Sequence, residues 1–192
     1  MAIEGATTTG TTGMAGTSDT SRTAANSKLM ELFLDQLYDI HWAEKKLIKA
    51  LGKMEDAATS QKLKNAFANH REETRNHVSR LEQVFTSINE EPDTSKCPAM
   101  AGIIDEAHDI IDETDEGSTQ RDAALVLAAQ KAEHYEIATY GGLAQLAETM
   151  GLIEAKNLLG QTLQEEKQSD ILLSQIAESG INYQASKEPQ TM

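Results

Sequence analysis

The stretch Ala132-Glu133-His134-Tyr135-Glu136-Ile137-Ala138 is answered, after Gly151, by Leu163-Gln164-Glu165-Glu166-Lys167-Gln168-Ser169-Asp170. Both arms carry acids where a helix hairpin should be apolar. At helical spacing the first arm's stripe runs Leu125, Ala129, Ala132, position 136, Leu143 and Ala147, and the second runs Leu159, Leu163, positions 166 and 170, Leu173 and Ala177. Recurrence at i, i+3, i+4, i+7 puts Glu136 and Glu166 on the buried faces. Gly151 is about equally far from both, so a hairpin turning there sets them side by side, on the order of 20 Å from the turn at ~1.5 Å per residue. Two inward glutamates at one level need protons or a cation.

The N-terminal half repeats the pattern. A helix from Ser27 to about Ala57 has the inward stripe Met30, Phe33, Leu37, Ile40 or His41, then Glu44, then Leu47 or Ile48, Leu51 and Met54. A second apolar stripe, Leu34, Tyr38 and Trp42, lies beside it and predicts a contact beyond the bundle, either a homodimer face or the crossover segment. Thr59 and Ser60 are candidate caps for the next helix, which runs to about Ile88 with the stripe Leu63, Phe67, His70, Glu73 or Thr74, His77, Leu81 and Val84. The turn near Ala58 is about equally far from Glu44 and Glu73, so the two hairpins form a weak internal repeat.

Between the hairpins, residues 90–117 hold Pro92, Pro98 and a short amphipathic helix from about Met100 to Thr114. A connection of that length is a crossover, not a tight turn. Thr119-x-x-Asp122 has the form of a capping box for the helix that follows. Gly141-Gly142 inside that helix predicts close packing or a kink. The last helix is expected from about Ile153 to Glu178. The expected organisation is a Thr/Gly-rich tail over 1–26, a bundle domain over 27–180 and a C-terminal tail over 181–192.

Composition bounds the function. In 192 residues, 31 acidic against 17 basic side chains give a formal net charge of −14, which argues against nucleic acid or an anionic membrane surface as partner. One cysteine, Cys97, leaves no internal disulfide and fits a reducing compartment. No apolar run approaches the ~20 residues of a membrane span, and the N-terminus lacks the charged-then-apolar order of a signal peptide, so a cytoplasmic location is expected.

Assembled as an all-α four-helix bundle, the chain sets Glu44, Glu73, Glu136 and Glu166 near mid-length. Four carboxylates in one dry layer cannot all stay ionised without counter-charge. Two divalent cations supply it, with imidazole from His70 or His77 and oxygen from Asp170 or Glu133 completing the shell. An oxygen-rich set with little nitrogen favours iron or manganese over zinc or copper.

Several segments in order resemble the YciE/YciF-type stress proteins of the ferritin-like superfamily: Leu37-Tyr38-Asp39-Ile40-His41-Trp42-Ala43-Glu44, His70-Arg71-Glu72-Glu73-Thr74, Cys97-x-x-Met100-x-Gly102, Arg121-Asp122-Ala123-Ala124, Glu133-His134-Tyr135-Glu136-Ile137-Ala138-x-Tyr140-Gly141 and Glu165-Glu166-Lys167-x-x-Asp170. The resemblance spans about residues 27–180. It implies a dimeric ferritin-like four-helix bundle with a long crossover carrying a short extra helix, and a centre of two metal ions per chain, iron first and manganese second. Glu44, Glu73, Glu136 and Glu166 then stand as carboxylate ligands, with His70, Glu133 and Asp170 as further ligands or their close neighbours. The chain departs from the superfamily's Glu-x-x-His pattern: Asn76 follows Glu73 at i+3, and Ser169 follows Glu166. Three functions follow as expectations: reduction of peroxide or dioxygen during stress, with Tyr135 or Tyr140 able to supply a proton or electron; metal binding without turnover; or a structural or interaction bundle.

Overall fold

A computed structural model describes residues 27–189; the expected N-terminal tail lies outside the described residues. Helix α1 (Lys28–Ala57) starts where Ser27 accepts a hydrogen bond from Met30 N at 3.1 Å and ends as Ala58 turns extended. It is followed by α2 (Gln61–Ser87), the short α3 (Pro98–Glu113) with proline in its first turn, α4 (Thr119–Thr149) and α5 (Ile153–Ile176). A π-helical turn, Ala177–Ile181, leads into α6 (Asn182–Ala185). There is no strand among the described residues.

The two hairpins, α1 with α2 and α4 with α5, pack into a ferritin-like four-helix bundle in which α2 lies beside α5 and α1 beside α4. The crossover helix α3 covers α4 and α1. The apolar ends of the bundle are filled by Phe33, Leu37, Leu51, Phe67, Leu81, Leu125 and Leu143, all 2% exposed or less. Burying each such side chain stabilises the fold by roughly 1.5–3 kcal/mol. These layers clamp the helices above and below a polar middle, so the middle inherits its geometry from them.

The structure closes the helix ends differently from expectation. Ser60 caps nothing with its side chain; instead the buried Asp122 of α4 accepts from Thr59 N at 2.6 Å and Ser60 N at 2.7 Å. The Thr119-x-x-Asp122 box is therefore not formed. Ser118 caps α4 by accepting from Arg121 N, and Glu188 accepts from Thr119 N and Gln120 N. The expected C-terminal tail is a further difference: Gly180, at φ +158°, redirects the chain without ending it, Ile181 is buried, and α6 packs on α4. Gly141 and Gly142 lie in uninterrupted helix with open space around them, so no close approach requires them. Part of the second stripe of α1 is covered within the chain: Tyr38 stacks on Phe85 of α2 at 5.6 Å, and its carbonyl accepts from Ser95 N of the crossover.

Candidate metal centre

Each long helix delivers side chains to the polar middle because its buried seam passes through that level. From α1 comes Glu44; from α2, His70, Thr74 and His77; from α4, Glu133, Glu136 and Tyr140; from α5, Glu166 and Ser169. Glu44, Glu136, Glu166 and His77 are wholly buried, Glu133 is 1% exposed and His70 6%.

These groups fall into two overlapping sets. His70, Glu133, Glu136 and Glu166 each offer a ligand atom, all within 4.8 Å of one another, and so do Glu44, His77 and Glu166. Glu166 belongs to both. One of its oxygens lies 2.9 Å from His77 Nδ1, and the other lies 3.8 Å from His70 Nε2. Four carboxylates and two neutral imidazoles match the charge of two divalent cations.

Both histidines face the middle with one nitrogen and are held from outside by the other. His77 Nε2 is 2.8 Å from Glu165, which Arg80 grips through both carboxylate oxygens at 2.7 and 2.9 Å. With the proton on Nε2 facing Glu165, His77 Nδ1 presents its lone pair inward. His70 Nδ1 is 3.1 Å from Ser169 Oγ, which leaves Nε2 facing Glu133 at 3.2 Å. Such outer partners fix tautomer and ring orientation at metal-binding histidines. Tyr140, buried on α4, donates its hydroxyl to Glu44 Oε1. Glu44 is thereby steered through one oxygen while the other stays open.

The inward atoms lack aligned hydrogen bonds: both oxygens of Glu136 and of Glu166, Glu133 Oε2, Glu44 Oε2, His70 Nε2 and His77 Nδ1. Some of these atoms stand instead at ion-pair distance, Glu166 2.9 Å from His77 Nδ1 and His70 Nε2 3.2 Å from Glu133, but no such contact relieves the two Glu136 oxygens, and a buried polar atom left so costs about 1–3 kcal/mol. So many buried donors within 4.8 Å of one another could hold metal ions, and the charge and chemistry of the set fit divalent cations.

Electrostatics agree. Burial pushes the Glu133 and Glu136 carboxyls well above the ordinary range, with the Glu166 charge adding to the shift. Burial likewise raises Glu44. For His77, burial acts downward, but the facing carboxylates of Glu166, 2.9 Å away, and Glu44, 3.6 Å away, outweigh it and take the imidazole up to about 11. His70 reaches about 9 in the same way, the Glu133 charge overcoming burial. Glu166 is held low despite burial by its contacts with His77 and His70. Without cations the layer therefore keeps protons on its imidazoles and on some of its carboxyls.

Two expected ligands fall outside both sets. Glu73 sits at the rim with its side chain 48% exposed, Oε2 3.5 Å from His70 Nδ1 and from Ser169 Oγ. The seam of α2 passes through Thr74, so the inward position next to Glu73 is a hydroxyl. Asp170 is half-buried beside the seam of α5, which runs through Thr162, Glu166, Ser169 and Leu173; it accepts from Gln130 at 3.1 Å. The fourth inward acid is Glu133, one turn from Glu136, and the second imidazole is His77 alongside His70. Both residues were legible as stripe or near-stripe positions. Tyr135 instead pairs with Cys97, hydroxyl to Sγ at 3.0 Å.

A cavity of about 340 Å³ opens between α2 and α5 and reaches this centre at His70 and Glu133.

A family model described as a domain of unknown function, DUF892, matches residues 28–186. Protein YciF of Escherichia coli K12 is 46% identical over 162 residues, covering 83% of this chain and 97% of YciF. The crystal structure of that protein, described as a stress protein, superposes with a TM-score of 0.76 over 80% of this chain and 97% of its own. A Rhodopseudomonas palustris protein, YcfI, described as a candidate structural protein, is 39% identical with a TM-score of 0.74 over 77% of this chain and 94% of its own. A Xanthomonas campestris protein at 21% identity and a TM-score of 0.65 shares the fold, over 84% of this chain and 98% of its own.

Proposed function

The chain belongs to the DUF892 family, in its YciF-like group, and from that premise we propose that it is a stress-response protein holding two divalent metal ions, iron before manganese, and reducing peroxide or dioxygen. The observation that carries this reading is Glu166, buried and shared between two donor sets whose inward atoms lack aligned hydrogen bonds. Glu44 and His77 would hold one ion, His70, Glu133 and Glu136 the other, and Glu166, common to both groups, would serve both. A ferrous pair supplies two electrons, the number that takes hydrogen peroxide to water. The chain's own residues set the conditions. Apolar layers above and below exclude bulk water, Tyr140 orients Glu44, and Glu165 and Ser169 orient the two imidazoles. The cavity between α2 and α5 admits a small oxidant to His70 and Glu133. The reading includes a homodimer in the cytoplasm; no helix among the described residues is long and apolar enough to cross a membrane.

The test has two stages. Elemental analysis of protein prepared without chelator should give two metal ions per chain. The ferrous form should then consume hydrogen peroxide faster than the same concentration of free ferrous ion, followed by stopped-flow absorbance. Equal rates would leave a metal-binding protein without turnover. Absent metal would favour a structural or interaction bundle, a reading supported by the description of the Rhodopseudomonas relative and by imidazolium–carboxylate pairs that make the metal-free layer self-consistent.

A further inference from the structure

Hydrogen peroxide and dioxygen are close to water in size, and one water occupies about 30 Å³. The cavity that leads to the centre is about 340 Å³, in the range from about 300 Å³ upward that holds organic ligands. Its walls have a matching chemistry. Ala66 and Phe67 from α2 and Leu172 and Leu173 from α5 give it an apolar side, while His70 and Glu133 form its inner end. Phe67 and Leu173 are core residues, 1% and 4% exposed, so this wall is rigid. Leu172, 43% exposed, stands where the cavity meets solvent. Amides of Asn69, Gln164 and Gln168, the carboxylates of Glu73 and Glu165 and the Ser169 hydroxyl complete the lining. An apolar chamber ending on unpartnered polar atoms suits a molecule with an apolar body and one oxidising end.

Resting on the di-metal reading above, we propose that the substrate of this centre is an organic hydroperoxide, bound with its carbon body against Phe67, Leu172 and Leu173 and its peroxidic end toward His70 and Glu133. The hydroperoxide takes up two electrons and two protons, and its O–O bond breaks to give the alcohol and water. A ferrous pair, when bound, would supply the two electrons, and the protons come from solvent at the cavity mouth. Glu73, at that mouth, keeps the entrance polar without reaching the inner acids.

Cumene hydroperoxide and hydrogen peroxide, each given to the ferrous-loaded protein, separate the possibilities. The expected result is faster consumption of cumene hydroperoxide than by free ferrous ion, with a rate at least equal to that for hydrogen peroxide. Leu172→Trp and Gln168→Trp, both at exposed positions, should narrow the chamber and lower the ratio of the organic to the inorganic rate by about tenfold or more. A second readout needs no metal: cumyl alcohol should bind the metal-free protein saturably, shifting the aromatic proton resonances of Phe67, and more weakly in the same variants. If hydrogen peroxide is consumed and cumene hydroperoxide is not, or the ratio ignores both tryptophans, the substrate assignment fails and the di-metal reading stands. If neither peroxide reacts faster than with free iron, the redox reading fails and takes the substrate with it.

Discussion

His70 and His77 stand on the same face of α2 with ring centroids 6.4 Å apart, each aimed at a different oxygen of Glu166. Two helical turns thus carry one nitrogen donor to each half of the acid layer, and the α5 carboxylate between them joins the halves. In the superfamily pattern that this chain departs from, the second imidazole would come from the position of Ser169. Here Ser169 instead supports His70 from behind, at 3.1 Å, so both inward imidazoles come from α2.

That arrangement predicts a graded loss of metal. Glu166→Ala should lower binding from two ions per chain to none, because both donor sets lose their shared member. His77→Ala should remove one, and Glu73→Gln none, since Glu73 lies at the rim. Elemental analysis after equilibrium dialysis decides. Loss of metal in Glu73→Gln would mean that the α2 seam is rotated by one position from the one described.

Removing an inner acid should also strengthen the metal-free fold. Both Glu136 oxygens are buried without an aligned partner, and Glu166, Glu44 and Glu133 crowd it with like charge. Glu136→Leu exchanges that crowding for apolar contact, and comparable replacements of buried charged groups are often neutral or stabilising by about 1–4 kcal/mol. Urea unfolding of chelator-treated protein should show a higher midpoint for the variant. A drop of similar size would mean that Glu136 has partners the geometry does not show.

Much of this was readable from periodicity. The depth of Glu44, Glu136 and Glu166 follows from an apolar stripe interrupted at the same level in each helix, and the end layers that set this level are ordinary leucine and phenylalanine. Glu73 and Asp170 were harder, because each neighbours the seam. A period of 3.6 residues lets either Glu73 or Thr74 face inward, and contacts with the other hairpin decide the matter. Glu133 is an alternative to Asp170 in the sequence, off the apolar stripe of its helix, and its place in the inner layer depends on His70 from another helix. Ser27, at the expected start of α1, does cap it, but the remote carboxylates at the starts of α2 and α4 were not readable. Asp122 closes α2 from 63 residues away and Glu188 closes α4 from 69, so the Thr119-x-x-Asp122 spacing suggested a local partner where the real one is remote.

The Asp122 cap can be measured directly. Its carboxylate, 2% exposed, takes both Thr59 N and Ser60 N, and hydrogen bonds to a charged group contribute about 1.5–3 kcal/mol each at most. Asp122→Ala should destabilise by about 2 kcal/mol on the scale of a lost helix cap, and Asp122→Asn by less, since one amide oxygen still accepts. Hydrogen exchange should quicken at Thr59 and Ser60 before the bundle centre. Uniform quickening would mean that Asp122 acts on global stability alone.

The pH dependence has two opposite slopes. In the metal-free fold His70 and His77 are raised to about 9 and about 11 from an ordinary value of 6.5. A group whose folded value lies above its unfolded one contributes stability fully below the unfolded value and loses it as pH rises through the folded value. Metal-free protein should therefore weaken between pH about 7 and about 11. Cations must displace those same protons, and those on Glu133 and Glu136, so metal affinity should rise with pH. Calorimetric titration in buffers of different ionisation enthalpy should show proton release on binding. An affinity independent of pH would remove His70 and His77 from the donor sets.

Tyr140 gives the sharpest separation of the two ion positions. Its hydroxyl donates to Glu44 Oε1, both residues are fully buried, and its ring meets that of His77 at 6.5 Å, so its hydrogen bond and its ring contact both fall on the Glu44 and His77 half. Burial, with the Glu44 charge beside it, keeps the phenol protonated well above its ordinary range, so it acts as a fixed donor and not as a base. Tyr140→Phe should leave Glu44 free to turn and weaken one ion by about 10–100-fold, the usual effect of losing a ligand's supporting hydrogen bond. The other ion, held by His70, Glu133 and Glu136, should bind as before. A two-phase binding isotherm that shifts in one phase alone is the expected result. An equal shift in both would show that Tyr140 shapes the bundle as a whole and does not steer Glu44.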